Sequence, residues 1–295
     1  MKGGDDFEDD FIADDLVALS DDEEELELSE GHDLSTQSED PESSTPQVTS
    51  DDKTASAKKR KREKEREKFK ERKRRKMLAA AITPERSITE QPPHKLAEYL
   101  ATLQAKTFSK MSVIELEDMR IPASAISDTS IWTGPRTLDN FVDFIGKVLP
   151  NLRLRLSQRS KTNGAPTMVF VSGAALRVVD VTRVLKDKRL RGDKGGEVAK
   201  LFARHFKVSE HVAYLRRTKI GSAVGTPGRI GKLLENDALV LSAMSHIILD
   251  ISFRDAKNRN MLDIPETRDE VFNTVLGAPK VLQAIKEGKI QVVLL

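Results

Sequence analysis

Cysteine is absent from this 295-residue chain, and large aromatic side chains are scarce, with one Trp and two Tyr. Without thiols there is no disulfide and no thiolate metal site, which fits a reducing compartment. So few Tyr and Trp leave little for bases to stack on. Any nucleic-acid contact would therefore run through the phosphate backbone, with weak sequence preference. No run approaches the roughly 18 consecutive apolar residues that span a bilayer, and the acidic start Asp5-Asp6-Phe7-Glu8 is the opposite of a secretory leader. The reading is a soluble, intracellular protein with no membrane partner.

What is present in excess is charge, at 33% of residues, and its net of +2 conceals a strong polarisation. Residues 1–57 hold 20 acids and 2 bases, residues 58–76 hold 14 bases and 4 acids, and residues 77–295 hold 33 bases and 23 acids. The part expected to fold is basic. A cationic domain beside a basic run implies a polyanionic partner, because each neutralised phosphate releases condensed counterions.

Three regions follow. Residues 1–57 are acidic, Ser/Thr-rich and without apolar periodicity, so they are expected to be disordered. Within them Phe11 to Leu19 interleaves acids with apolar residues, as in a segment that folds on a partner. Ser20 and Ser29 have the acidic surroundings of phosphorylation sites. Residues 58–80 form a basic helical or disordered segment. Its bases cluster at Lys58, Lys59, Arg60, Lys61, Arg62 and again at Arg72, Lys73, Arg74, Arg75, Lys76, a pattern that points to nuclear or nucleolar targeting, the plain alternative being a solvated linker.

Residues 81–295 are expected to form an α/β domain, a parallel-sheet, RecA-like single lobe with helices on both faces. Unalternated apolar runs at Met168 to Ser172, Ile220 to Val224, Ile247 to Asp250 and Ile290 to Leu295 predict strands covered on both sides. Leu152 to Leu156 is read as a further strand. Helices are predicted at Lys95 to Lys106, Leu138 to Leu149, Ala175 to Lys188, Val198 to His205, Ile230 to Asn236, Glu266 to Leu276 and Lys280 to Lys286.

In an open parallel sheet, ligands bind outside the carboxyl ends of the strands. After Ile220 to Val224 comes Gly225-Thr226-Pro227-Gly228-Arg229-Ile230. Thr226 suits an N-cap, Pro227 a first helical position, and Gly228 leaves first-turn amides accessible. Those amides, the positive end of the helix dipole and a forked guanidinium at Arg229 suit a phosphate. The plain alternative is a capped helix with a surface arginine. Ser172 and Gly173, after an earlier strand, are weaker candidates for the same chemistry. His205, His211 and His246 lack metal-ligand spacing and Trp132 is read as core, so no metal or cofactor is expected.

The string TPGRI after a strand, followed some twenty residues on by ILD, resembles the first lobe of DEAD-box RNA helicases, in which the TPGR turn contacts the RNA backbone. The resemblance implies that Ser172-Gly173-Ala174-Ala175-Leu176 stands for a second RNA-contacting turn. Against that pattern, Thr133-Gly134-Pro135-Arg136-Thr137 has one glycine and no lysine where a phosphate loop belongs. Ile251-Ser252-Phe253 follows Asp250 where Glu-Ala-Asp would orient water and metal, and the sequence stops at Leu295, where a second lobe would follow. An enzyme is not expected.

The segments VSGAALRVVDV, VGTPGRI and LDISFRDAKNRNMLDIPETRDEVF, with the acidic tail and basic run, closely resemble the Cms-one family of small-subunit ribosome assembly proteins. The resemblance implies a non-catalytic nucleolar factor of early (90S) pre-ribosomal particles, with pre-ribosomal RNA and assembly proteins as partners and no small-molecule substrate. A protein-docking module without direct RNA contact is the main alternative, and an ATP-dependent helicase a more distant one.

Overall fold

The computed structural model describes residues 87–204 and 206–295. The acidic tail, the basic segment with its targeting residues, the predicted start of the domain at residue 81, and His205 lie outside the described residues.

Five strands form one sheet: β1 (Met168–Val171), β2 (Glu197–Leu201), β3 (Ile220–Gly225), β4 (His246–Leu249) and β5 (Gln291–Leu294). All neighbours are parallel, in the order β2-β3-β1-β4-β5, with Met168 opposite both Ser222 and His246. Among the described residues ten α-helices connect and cover them: α1 (Pro93–Thr107), α2 (Val113–Asp118), α3 (Phe141–Val148), α4 (Pro150–Leu156), α5 (Ala175–Leu185), α6 (Lys188–Arg191), α7 (Val208–Arg217), α8 (Pro227–Glu235), α9 (Pro265–Glu270) and α10 (Pro279–Lys286). A π-helical turn, Val271–Leu276, continues α9.

The period-2 alternation of the strands sends side chains into two cores. Val169, Val171, Ile247, Leu249, Val292 and Leu294 face α1, α8, the π turn and α10. Met168, Phe170, Val224, Ile248 and Val293 face α3, α4, α5 and α6. This is the three-layer α/β architecture that buried parallel strands require, because both sheet faces must be covered.

Two predicted elements change type, and helices α2 and α7 form where none was predicted. Leu152 to Leu156 is helix α4: Pro150 occupies its first turn, and Leu152 and Leu156, four apart, are the buried pair. Leu154, which the strand reading would have placed with them, is 62% exposed. Residues 197–201 are strand β2 where a helix was expected, and α7 follows it. Pairing with β3 overrides the helix-favouring composition Glu-Val-Ala-Lys-Leu.

The chain runs from β1 outward to β2, back to β3, then across β1 to β4 and on to β5. The strand order therefore reverses between β1 and β4, and the segments leaving these two strands border the crevice where such sheets place ligands.

Candidate functional site at the carboxyl ends of the strands

Asp250, directly after β4, is the carboxylate nearest the reversal of strand order, and only 1% of it is exposed. A buried carboxylate needs a countercharge and hydrogen bonds. Arg177, on the first turn of α5, supplies the charge through Nε at 2.8 Å. Ser252 Oγ donates to the same carboxylate at 2.8 Å and the Phe253 amide at 3.2 Å. The Arg177 guanidinium also lies over the Phe253 ring, 5.4 Å from its centre. This group clasps the segment after β4 to the start of α5, and its charge is balanced from within.

Ser172 belongs to the same clasp. Its side chain is buried and its Oγ lies 3.4 Å from Asp250 Oδ2, so the hydroxyl faces inward and is not displayed to a ligand. Gly173 is exposed, but a Cβ there would approach Met261 Cβ to 2.9 Å.

The turn after β3 is built differently from its expected form. Thr226 sits at the N-cap in extended conformation, yet its side chain makes no capping bond. The cap comes from Glu270, the last residue of α9, whose Oε2 accepts the Gly228 amide at 2.9 Å. The amide expected to await a phosphate already holds a carboxylate. Pro227 is buried. Arg229 is turned inward and only 6% exposed, which corrects the expectation of an outward fork. One of its terminal nitrogens donates to the Phe206 carbonyl at 2.7 Å, and the other faces His211 Nδ1 at 3.2 Å. Arginine only donates, so Nδ1 accepts and His211 is neutral with its proton on Nε2. Burial, and then the Arg229 charge, pull the His211 pKa down to about 4.

Close packing explains the glycines of α8. A Cβ on Gly228 would stand 2.5 Å from Glu270 Oε1, and one on Gly231 would stand 2.2 Å from Thr274 Oγ1. The helix thus lies against α9 and the π turn with no room for a side chain between them.

The third part is the stretch expected to stand for a phosphate loop. Its chain pairs with β5 through a single parallel bridge, Ile126 to Val292, and then turns away. Gly134 rests on the Trp132 indole, which is buried edge-on against Phe144 at 5.7 Å. Arg136 lies over the Phe144 ring, 5.4 Å from its centre, and donates to the Thr129 carbonyl at 2.9 Å and the Leu294 carbonyl at 3.4 Å. Burial lowers its pKa. A guanidinium therefore spans the end of β5.

Sequence reasoning located Asp250, Ser172 and the Thr226 turn but missed Arg177, Glu270 and His211 as their partners. For Arg177 a signal existed, since a lone acid in a buried strand end demands a base. Glu270 is 42 residues from Gly228, and nothing local announces it.

Comparison with known proteins places these features in context. Residues 43–295 match the family model described as CMS1, U3-containing 90S pre-ribosomal complex subunit. The chain belongs to this family. Among CMS1 relatives, Protein CMS1 of Chaetomium thermophilum is 37% identical over 182 residues, covering 62% of this chain and 71% of the relative. Protein cms1 of Schizosaccharomyces pombe is 34% identical over 202 residues, covering 68% and 69%. Human Protein CMSS1 is 34% identical over 183 residues, covering 62% of each chain. Among solved structures, the chain is similar to a DEAD box protein from Methanococcus jannaschii, at 17% identity and TM-score 0.32 over 54% of this chain. It is also similar to the yeast DEAD-box splicing factor Prp28, at 18% and 0.37 over 55%. These matches span about a third of those two proteins, 37% and 34% of their lengths. Among the described residues, no helix is long and apolar enough to cross a membrane.

Proposed function

We propose that this CMS1-family chain is a non-catalytic, RNA-associated scaffolding subunit of early small-subunit (90S) pre-ribosomal particles, resident in the nucleus and nucleolus. The family description supports the particle, and the basic clusters at Lys58 to Arg62 and Arg72 to Lys76 support the address. The observation that carries the non-catalytic reading is the Arg177–Asp250 pair. A phosphoryl-transfer site needs an acidic group free to hold metal, whereas here the carboxylate is engaged by an internal cation and by donors on three residues.

In this reading Thr226, Pro227, Gly228 and Arg229, with Ser172 and Gly173, form a secondary RNA contact. A phosphate reaching the Gly228 amide must displace Glu270, while Arg229 and Ser172 hold the turn and the crevice from beneath. A protein-docking role has its own support. Val113 and Ile114 on α2 are 81% and 77% exposed beside Met111, an apolar knob of the kind that partners cover.

Tagged full-length chain is expected to sediment with early pre-ribosomal particles and to crosslink to their RNA, while magnesium-dependent ATP turnover stays at background. Turnover above background in the purified chain or in particles that lose it on depletion would overturn the non-catalytic reading. Sedimentation only as free protein would overturn the assembly role.

A further inference from the structure

We propose that the principal RNA-binding surface of this domain lies at the amino ends of β1, β2 and β3, on the edge of the sheet opposite the crevice. The inference deepens the RNA-associated reading above and rests on it. Three helices run into this edge: α4 before β1, α6 before β2 and α7 before β3. Residues 153–164, 186–197 and 216–219, which contain their ends and the joining loops, hold twelve bases and three acids. The loops form one continuous surface. Arg153 Nε donates to the Arg189 carbonyl at 3.1 Å, Asn163 Nδ2 to the Arg216 carbonyl at 2.9 Å, and the Glu197 amide to the Lys219 carbonyl at 3.1 Å.

Two of the three acids are already engaged, Asp187 by Arg189 and Glu197 by Arg191. Arg159, Lys161, Lys188, Lys194, Arg216 and Lys219 are exposed and form no ion pair among the described residues. Complementing helix dipoles accounts for bases in last turns, such as Arg153 and Arg216. It does not account for Arg159, Lys161, Lys194 and Lys219, which stand in the loops beyond them. The surface carries one exposed large apolar side chain, Leu154, too few for the apolar centre of a protein interface. Dense free cations without aromatic platforms match a phosphate backbone read by charge and shape.

The test compares full-length variants binding a labelled stem-loop RNA across a salt series. Replacing Arg159, Lys161, Arg216 and Lys219 together with glutamine should weaken binding about a hundredfold near physiological salt and reduce the log–log salt slope by about three. A control with the exposed Lys207 and Lys257 changed to glutamine at the other edge should shift affinity less than about threefold, taking surface changes as nearly neutral. Both variants should keep the wild-type unfolding midpoint. A third chain, with Lys58 to Arg62 and Arg72 to Lys76 neutralised, isolates the contribution of the basic segment. In that chain, added RNA should still shield Lys161, Lys194 and Lys219 from acetylation.

Wild-type affinity and slope in the amino-edge variant would overturn this inference and leave the assembly role intact. No salt-sensitive RNA binding by the wild-type chain would overturn the RNA-associated reading and this inference with it. A peptide of residues 1–57 that displaces the RNA at equimolar concentration would also overturn it, assigning the surface to acidic protein.

Discussion

The two edges of the sheet spend similar numbers of bases in opposite ways. Around the carboxyl ends, residues 128–140, 172–177, 202–210, 226–229 and 250–270 hold nine bases and nine acids. The central ones are locked together: Arg177 on Asp250, Arg229 beneath the β3 turn, and Arg136 on the β5 carbonyl. At the amino ends of β1, β2 and β3 twelve bases meet three acids, and half of those bases form no ion pair among the described residues. Charge at the first edge contributes to holding the fold, and charge at the second is available to a partner. A parallel sheet's customary ligand edge can thus become structural while the opposite edge takes over the contact with solution.

Variants can break or sharpen this contrast. The largest effect is expected from Arg177→Ala, which strands Asp250 as a buried unpaired charge and should cost about 3–5 kcal/mol in urea unfolding. The double change Arg177→Met with Asp250→Leu should recover most of that loss. If Arg177→Ala is neutral, the carboxyl edge is not held by this pair. Next, Gly231→Ala forces a methyl against Thr274 and should cost about 1–3 kcal/mol. The same substitution at the half-buried Gly146, where a Cβ would meet nothing within 4 Å, should stabilise its helix by about 0.5–1 kcal/mol.

Acid should weaken both edges, through His211 near the carboxyl ends and through His246 at the amino end of β4. His211 and His246 are held neutral, with pKa values pulled down to about 4 by burial and, secondarily, by Arg229 and Arg155. Glu210 opposes the shift at His211. Between that value and the ordinary 6.5 the unfolded chain binds more protons than the folded one. Stability is therefore complete above pH 6.5 and declines as pH falls toward 4. His211→Gln should flatten the decline in a pH series of unfolding midpoints, and an unchanged slope would remove His211 from the account. The smallest effect is expected from Glu270→Gln, which keeps a carbonyl on the Gly228 amide but removes the charge, for a loss of about 0.3–1 kcal/mol. Under the secondary-contact proposal it should also raise RNA affinity modestly, and a fall would sink that proposal.

Much of the fold was legible because parallel strands buried on both sides leave unbroken apolar runs. Four of the five strands, β1, β3, β4 and β5, announced themselves this way. The other, β2, lies at the sheet edge with Glu197 and Lys200 partly exposed, so its composition resembles a helix. The stronger clue was Gly195-Gly196 before it, where the backbone passes so near Gly221 that a Cβ on Gly196 would stand 2.3 Å from its nitrogen. The Leu-Arg-Leu-Arg-Leu run of α4 alternates like a strand, and only Pro150 argued otherwise. At the candidate site the positions were readable but their orientations were not. Whether Arg229 points out or in depends on Phe206 and His211, residues of another segment whose arrival is decided by tertiary packing.

The single bridge between Ile126 and Val292 has a consequence for life in a crowded compartment. A terminal strand as apolar as Val292-Val293-Leu294 offers unpaired backbone groups that invite another molecule's strand, the first step toward aggregation. The segment from Ile126 to Arg136 works as a hem: it pairs once and then bends away, and Arg136 occupies the Leu294 carbonyl. Neighbouring copies are denied a straight edge on which to polymerise.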